Sequence, residues 1–318
     1  MTENKKNILL ITFDNWGYNQ YIADALEAKS HQVRHINFHQ FQYKYPNLRY
    51  KIFNIFTKNL RILNLKHIHY HRLIVRKLQT IDNIDTSIYI KADFLSPKTI
   101  KAINEKSGKS VLILSDCINR YPKTKKILPL FDKVFSFEKK DCEKYNLHFK
   151  TNFIYRYVDV ISENFKYKVF NISSFDKRFP SFQKIAKYLN KIKINYKIII
   201  FTSKTNDDPY LEFSQRPFSI DEINTFFEES KIMLDVHRSH QQGLSFRVFE
   251  SLGLHKKLIT SNTDIVNYDF YNPQNIFVIE DLDNIKIPQS FFETAYLKPP
   301  KELLEKYLIE NWVNDLII

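Results

Sequence analysis

Glycine is scarce in this sequence: the 318 residues include only four, at positions 17, 108, 243 and 253. A dinucleotide-binding fingerprint or a Walker-type phosphate loop needs several closely spaced glycines, so both classes of site are excluded. The two cysteines, Cys117 and Cys142, are too few for a disulfide framework or a four-ligand zinc site. We expect both to be reduced.

Long apolar runs are also missing. No stretch approaches the roughly 18 apolar residues of a membrane-spanning helix. The N-terminal apolar segment, 8–13, is too short for a signal peptide and has no small-residue cleavage site. Since 43% of the residues are hydrophobic, wholesale disorder is excluded as well. We therefore expect a soluble cytoplasmic enzyme, long enough for two medium domains or one large one.

Acidic residues are absent between Glu27 and Asp82. The same stretch has eleven Lys and Arg residues and six His, and it contributes much of the net charge of +13. Three interpretations remain open. An anionic membrane surface or a lipid-diphosphate acceptor fits, because each basic residue near an anionic leaflet adds about 1 kcal/mol. A nucleic acid fits on charge alone, but no nucleic-acid-binding motif accompanies the charge, and we expect no such partner. The third is a solvated basic face without a partner.

Two details of the composition bear on metal binding. His67, His69 and His71 alternate along the basic stretch. This pattern is typical of an extended segment rather than of a helical metal site. The run 206–208, Asn-Asp-Asp, precedes a proline, so turn chemistry explains it better than a metal does.

The apolar runs form two successive series. The first half predicts strands at 8–13, 33–38, 87–91, 110–114 and 133–137, with helical patterns between them and one or two inserted helices in the basic stretch from 46 to 78. The second half predicts strands at 168–172, 196–201, 231–236, 257–260 and 276–279, helices at 180–191 and 219–230, and another ending at 252. Ser219 and Glu222 form a capping-box pattern at the start of the second of these helices.

This alternation predicts an α/β protein with two doubly wound, Rossmann-like domains. The domains are placed at 1–158, with the basic insert near 40–80, and at 159–298, followed by a C-terminal helix at 299–318 that packs back. Ligands of such sheets bind at the carboxyl ends of the strands, so the predicted site is a central cleft that the two sheets face.

The segment from 230 to 265 has the most informative pattern: strand, loop, glycine, helix, strand. Gly243 allows close approach of the backbone to a ligand, and the helix after it offers its N-terminal amides and dipole to an anion. Arg238 and Arg247 can add fork-like contacts to a diphosphate. Glu250, about two turns into the helix, can accept from a sugar hydroxyl. The alternative is an ordinary βαβ unit with a surface glutamate.

This segment resembles the donor-binding segment of GT-B glycosyltransferases, most of all those of lipopolysaccharide or capsular polysaccharide biosynthesis and the spore-maturation-type group. The matching residues are Asp235, Gly243, Leu244, Arg247, Phe249, Glu250, Leu252, Gly253, 256–260, Asn262, Asp264, Ile265, 268–273, Asn275 and Ile276. Weaker similarity at 91–97, 120–122, 131–145 and 174–180 extends the resemblance over roughly 85–280.

The resemblance implies that the second domain binds a nucleotide sugar and the first binds the acceptor. The diphosphate would be held by a loop and an arginine, namely Gln242, Gly243, Leu244, Ser245 and Arg247. Glu250 would hold the ribose. Lys177 and Arg178 would be further phosphate partners unless they lie in a solvated loop, and His237 would contact sugar or phosphate unless it is a packed core histidine. No metal and no cofactor are implied, because basic side chains and helix dipoles neutralise the diphosphate in such enzymes.

The stereochemical outcome stays open. Many retaining enzymes of this fold carry two glutamates eight positions apart, and here the first position is Gln242. An inverting transfer instead needs a general base on the acceptor hydroxyl. Asp14, Asp93 and Asp116 follow predicted strands of the first domain and are the candidates, although each position is equally typical of a helix N-cap.

The sequence thus predicts a cytoplasmic glycosyltransferase, peripheral on the inner face of the cell membrane. It would move a sugar from a nucleotide-diphosphate-sugar donor to a lipopolysaccharide, capsule or related glycan acceptor, free or lipid-linked. Two alternatives remain: a transferase of another phosphate-containing group, and a polyanion-binding module whose transferase site has lapsed.

Overall fold

The computed structural model describes residues 5–14, 16–60, 62–81, 83–160, 164–204, 206–239 and 241–317. Arg61 of the basic stretch lies outside these ranges. The chain divides into two compact units, Met1–Lys150 with Val313–Ile318, and Thr151–Trp312. The first segment of the first unit ends at Lys150, whereas the sequence placed the boundary at 158, and the last residues of the chain belong to this unit as well.

The first unit contains six parallel strands in the order β2-β1-β3-β4-β5-β6. The strands are β1 (Asn7–Thr12), β2 (Gln32–Asn37), β3 (Ile84–Ile90), β4 (Ser107–Leu114), β5 (Lys133–Ser136) and β6 (His148–Phe149). The helices are α1 (Tyr18–Ala28), α2 (Leu48–Asn59), α3 (Leu65–Leu78), α4 (Pro97–Asn104) and α5 (Lys139–Tyr145). Strand order reverses between β1 and β3, which makes their carboxyl ends the switch point of this sheet.

The two helices predicted in the basic stretch are α2 and α3. Helix α3 packs on the sheet through Tyr70, Ile74 and Leu78, which recur every four residues and are buried. Helix α4 begins at Pro97, and the Ser96 side chain caps it by accepting from the Thr99 amide at 3.2 Å. These contacts fix α3 and α4 beside the ends of β1 and β3.

The second unit contains six parallel strands in the order β12-β11-β10-β7-β8-β9. The strands are β7 (Tyr167–Ser174), β8 (Tyr196–Phe201), β9 (Glu212–Ser214), β10 (Ser230–Asp235), β11 (Lys257–Thr260) and β12 (Ile276–Val278). The helices are α6 (Phe179–Lys191), α7 (Ile220–Glu228), α8 (Phe246–Gly253), α9 (Gln289–Glu293), α10 (Lys301–Glu305) and α11 (Ile309–Trp312). The predicted capping box is present at α7. Here the switch point lies between β7 and β10.

The C-terminal segment, predicted as one helix over 299–318, is broken into α10, α11 and a 3₁₀ helix at Val313–Leu316. The break has a backbone cause. Ile154 donates to the Tyr307 carbonyl at 2.7 Å and accepts from the Ile309 amide at 3.0 Å, so this stretch pairs as a short bridge instead of continuing the helix. Across the described residues, no helix is both long and apolar enough to cross a bilayer.

Candidate functional site

Charged side chains cluster at the switch point of the second sheet. Asp176, Lys177 and Arg178 follow the end of β7, and His237 and Arg238 follow the end of β10. Because the two strands are neighbours and parallel, both loops leave the same edge of the sheet. The structure therefore brings together, at the edge where ligands of such sheets bind, four residues that the sequence singled out: Lys177, Arg178, His237 and Arg238.

Asp176 orients the two arginines of this cluster. The Arg178 guanidinium donates to both Asp176 oxygens, each at 2.9 Å, and to the Val236 carbonyl at 2.9 Å. Arg238 donates to Asp176 Oδ2 at 3.1 Å. Sequence reasoning missed Asp176, although an acid two residues before an arginine at a strand end is a recognisable signal. The result is two fixed guanidinium groups around one carboxylate, with a net positive charge.

Asp176 stays ionised over the whole physiological range. Burial of its carboxyl raises the pKa, but the hydrogen bonds and charge of Arg178, together with the hydrogen bond from Arg238, outweigh burial and hold the pKa at about 2. The arginines therefore keep a charged partner at neutral pH. Lys177 is exposed and adds a third cation beside them.

His237 is half-buried in the same loop. Its backbone amide donates to Ser261 Oγ at 3.0 Å, and its Nδ1 lies 3.0 Å from the same hydroxyl. Burial lowers the pKa of His237, Arg178 lowers it further, and Asp235 opposes both. The imidazole is thus neutral near pH 7 and available for hydrogen bonding rather than for charge.

The loop from Gln242 to Ser245 is anchored to the ends of two strands. Asp235, buried at the end of β10, accepts from Ser245 Oγ at 2.8 Å and from Thr260 Oγ1 at 2.9 Å. Asn262 Nδ2 donates to the Gln242 carbonyl at 2.9 Å. Because the Ser245 hydroxyl is held by Asp235, it makes no side-chain cap on α8. The positive end of the α8 dipole lies at this loop.

Gly243 and Leu244 are buried within the loop. Asn152 Nδ2 donates to the Leu244 carbonyl at 2.8 Å. The backbone is therefore fixed from two directions, by Asn152 and by Asn262. A fixed backbone can present amide groups to a ligand without first being ordered.

Arg247 and Glu250, which the sequence assigned to diphosphate and ribose, form a buried ion pair. Arg247 Nη1 donates to Glu250 Oε2 at 2.9 Å, and the Tyr155 hydroxyl donates to Oε1 at 2.9 Å. Their side chains are only 13% and 2% exposed. The guanidinium also lies 4.4 Å from the centroid of the Phe227 ring. In this conformation the two residues bind one another, and a ligand has to share or displace these bonds to reach them. Tyr155 was not foreseen.

The three candidate bases lie in the first unit, in different surroundings. Asp14 anchors the turn that leads into α1: its Oδ1 accepts from the amides of Trp16 and Gly17, and its Oδ2 from Asn19, at 2.7 to 3.1 Å. The N-cap residue of α1 is Gly17, so Asp14 does not itself have the N-cap role that was its alternative. Asp116 is paired with Arg120 and lies 4.0 Å from Lys91 Nζ, so it belongs to an ion-pair network.

Asp93 lies instead in a pocket of about 840 Å³ at the switch point of the first sheet. Its Oδ1 is buried and has no hydrogen-bond partner within the described ranges. Burial raises the pKa of this carboxyl, Lys91 opposes the rise, and Asp116 adds to it. A carboxylate of raised pKa in a pocket is the usual form of a general base.

The prediction of an extended segment at His67, His69 and His71 is wrong, since all three lie on α3. The four-residue recurrence of Tyr70 and Ile74 was the signal for a helix there. His67 and His71, one turn apart, both line the Asp93 pocket, whereas His69 Nε2 donates to the Phe41 carbonyl at 2.9 Å.

The Asn-Asp-Asp run at 206–208 forms a turn. Asp208 accepts from Gln183 Nε2 at 2.7 Å and from the Tyr210 amide at 2.9 Å. In the part of the chain that the structure describes, no group of three His, Cys, Asp or Glu side chains has an arrangement that could hold a metal ion.

Solved structures share this fold. The chain is similar to the glycosyltransferase from Rickettsia africae ESF-5, with 10% identity and a TM-score of 0.54 over 98% of this chain and 97% of that one. It is similar to "Trehalose-6-phosphate from E. coli bound with UDP-2-fluoro glucose", with 11% identity and a TM-score of 0.54 over 98% and 99% of the two chains. No protein-family model matches the chain, and no curated protein matches its sequence. The predicted GT-B fold is confirmed.

Proposed function

We propose that the protein is a glycosyltransferase that takes a sugar from a nucleotide-diphosphate donor and transfers it to a lipopolysaccharide, capsule or related surface glycan. The observation that carries the proposal is the pair of fixed guanidinium groups, Arg178 and Arg238, at the switch point of the second sheet. The GT-B fold supports it, since that fold is built for sugar transfer from such donors.

The chemistry follows from the charge that develops at the leaving group. When the bond from the anomeric carbon to the donor phosphate breaks, negative charge accumulates on the nucleotide diphosphate. Arg178, Arg238, Lys177 and the dipole of α8 stabilise that charge where it forms. The neutral His237 can hydrogen-bond to sugar or phosphate. Because the protein supplies this positive charge itself, we expect turnover to persist in the presence of a chelator.

A thermal-shift screen over nucleotide sugars tests the donor part of the proposal. A donor that binds the folded state raises the melting temperature, and the rise grows with the logarithm of its concentration divided by its Kd, so the donor that gives the largest shift at equal concentration binds most tightly. The donor should then release its nucleoside diphosphate when incubated with the protein and a glycan acceptor. A chain that no nucleotide sugar stabilises, in a screen where a known glycosyltransferase responds, does not have this function.

The same proposal places the protein on an anionic membrane surface, through α2. Eight of the fifteen exposed large apolar side chains of the described residues lie between 48 and 62, and they are 45% to 73% exposed. They are Leu48, Tyr50, Ile52, Phe53, Ile55, Phe56, Leu60 and Ile62. So dense an apolar surface on a soluble chain marks an interaction site.

Helix α2 is oriented opposite to an ordinary surface helix. The side chain that α2 buries is the polar Asn54, whose Nδ2 donates to the Tyr45 hydroxyl at 2.8 Å and whose Oδ1 accepts from the Leu65 amide at 2.7 Å. Its apolar side chains point outward, with Arg49, Lys51 and Lys58 among them. Apolar side chains between basic ones suit the interface of an anionic bilayer.

Vesicle sedimentation tests this placement. We expect binding to vesicles with phosphatidylglycerol, weaker binding to neutral phosphatidylcholine, and a decline with salt because surface charge is screened. Phe56→Ser should weaken binding, whereas Phe149→Ser, at an exposed aromatic on β6, should leave it unchanged. If both variants bind the vesicles as well as wild type, α2 does not contact the membrane.

A polyanion-binding module is the second candidate, and the acid-free basic stretch favours it. Such a module binds heparin or nucleic acid and is indifferent to changes at the second unit's arginines. Heparin binding unaffected by Arg238→Gln, together with no response to any nucleotide sugar, would support it over the transferase.

A further inference from the structure

We infer that the pocket beside Asp93 is an acceptor site for a saccharide that carries a phosphate group, with the reacting hydroxyl placed against Asp93. The inference rests on the proposed sugar transfer and names the acceptor class. The pocket lies entirely in the first unit, at the carboxyl ends of β1 and β3, between α3 and the start of α4.

The charge of the pocket specifies an anionic ligand. Five Lys and Arg side chains line it, against the single carboxyl of Asp93 among the described residues. The five are Lys58, Lys66, Arg72, Lys98 and Lys123. They come from four separate parts of the chain: the end of α2, α3, the first turn of α4, and the 3₁₀ helix Pro122–Lys126. Cations from four elements around one concavity give it a positive potential, which attracts an anionic group such as phosphate.

The aromatic wall of the pocket specifies a sugar rather than a bare anion. Phe13, Tyr70 and Phe94 form one ring cluster, with centroids 5.2 Å apart for Phe13 and Phe94 and 6.0 Å apart for Tyr70 and Phe94. Aromatic faces cover the apolar C–H face of a pyranose, while polar groups take its hydroxyls. His67 and His71 supply such groups on one side of α3. The volume of about 840 Å³ is ample for a phosphorylated monosaccharide or disaccharide.

Asp93 is the group that can act on the acceptor. Its Oδ1 is buried with no hydrogen-bond partner in the described part of the chain, whereas Asp14 has three amide donors and Asp116 has two cations. Asp93 also lines the pocket, so the hydroxyl of a bound sugar can donate to its carboxyl.

The transfer step balances with this assignment. The acceptor O–H bond breaks and its proton passes to the Asp93 carboxylate. The acceptor oxygen forms a bond to the anomeric carbon of the donor, and the bond from that carbon to the diphosphate oxygen breaks with its electron pair. The nucleoside diphosphate leaves as an anion, and Asp93 then releases the proton to solvent.

Calorimetry without donor tests the site by itself. Glucose 6-phosphate serves as the soluble probe and farnesyl diphosphate as the lipid probe. We expect glucose 6-phosphate to bind, because it carries both the sugar and the phosphate. Additional, tighter binding of farnesyl diphosphate would indicate that the natural phosphate is lipid-linked. Lys98→Gln and Lys123→Gln should each weaken binding of glucose 6-phosphate about tenfold at low salt. Lys101→Gln and Lys126→Gln, at exposed lysines three residues away and outside the pocket, should change it little. Failure of glucose 6-phosphate to bind, or equal effects of all four variants, would overturn the site.

The Asp93→Asn variant separates a base from a structural residue. It should bind the phosphate probe as well as wild type or better, because a negative charge is removed, while kcat falls about 10²- to 10⁴-fold. Full kcat in Asp93→Asn overturns the assignment of the base, and so does a loss of probe binding that parallels the loss of rate. Because probe binding needs no donor, phosphate binding in a protein that no nucleotide sugar stabilises would show that the proposed function fails while the pocket remains.

Discussion

At the scale of single residues, Glu250 matches a family pattern and also has partners that the pattern does not reveal. The resemblance assigned it to a ribose, yet in the structure its two oxygens accept from Arg247 and Tyr155 inside the second unit. The sequence predicted the residue and its helix, but it did not predict the partners. Tyr155 is 95 residues away, and only the packing of α8 brings it near.

Removing the Glu250 carboxylate should therefore unfold the protein more readily. In Glu250→Ala the buried Arg247 charge loses its partner, which costs about 3–5 kcal/mol in comparable pairs. Glu250→Gln keeps one acceptor oxygen for Arg247 and replaces the other with an NH₂ group that can donate to the Tyr155 hydroxyl, so it should cost less. Urea denaturation measures both, with Glu280→Ala at an exposed position as the control, expected within about 0.5 kcal/mol of wild type. A Glu250→Ala variant as stable as Glu280→Ala would contradict the buried pair.

Gly253 is a second residue for which the structure, and not the sequence, explains the residue type. It belongs to the matching pattern, but a Cβ at this position would collide with the backbone carbonyl of Arg156 and with the Ile154 side chain. The glycine therefore allows α8 to pack closely against the segment at 154–156. Gly243, in contrast, lies in the anchored loop at the sheet edge, as the sequence predicted.

At the scale of elements, periodicity located most strands and helices, because apolar runs and caps are local signals. It did not give the orientation of α2. Apolar residues occur around most of that helix, and it is the hydrogen bonds of Asn54 that turn the polar side inward. The C-terminal segment shows the same limit, since a bridge to Ile154 interrupts a sequence that by itself favours one helix.

Strand β11 begins with a lysine whose burial makes the stability of the protein depend on pH. The Lys257 ammonium donates to the Phe291 carbonyl at 2.9 Å and to Thr294 Oγ1 at 2.5 Å, at the end of α9. Burial, with the nearby charge of Lys231, lowers its pKa to about 8. In the unfolded chain the pKa returns to 10.5. Between these two values the unfolded chain binds more protons, so the free energy of unfolding rises with pH.

We therefore expect wild type to gain stability relative to Lys257→Met as the pH rises from about 8 to about 9.5. The comparison with the variant cancels the other titrating groups, including the buried tyrosines that act in the opposite direction above pH 10. Denaturation curves of both proteins across this pH range measure the difference in their free energies of unfolding. If the free energies of unfolding of wild type and Lys257→Met change in parallel with pH, the lysine is not held in a low-polarity site.

At the scale of the whole molecule, each unit gathers cations at the switch point of its own sheet, in a pocket in the first unit and in the Arg178 and Arg238 cluster in the second. The strand order that creates these points follows from the chain's alternation of strands and helices, and the sequence correctly placed Lys177, Arg178, His237 and Arg238 at strand ends. The sequence did not predict the Asp93 pocket, because the residues that line the pocket are as far apart in the chain as Phe13 and Lys123. Only the folded chain shows that Asp93, of the three candidate acids, lines a pocket and has a buried oxygen without a partner among the described residues.

Calorimetric titration of the donor found by the screen into wild type, Arg238→Gln and Arg216→Gln is the most direct test of the nucleotide-sugar site. Arg216 is an exposed arginine of the same unit, paired with Glu222 away from the β7–β10 edge, and such a surface pair contributes little. We expect Arg238→Gln to weaken donor binding about tenfold or more, and Arg216→Gln to leave it at the wild-type value. Donor affinity that is the same in all three proteins would contradict a diphosphate site between β7 and β10.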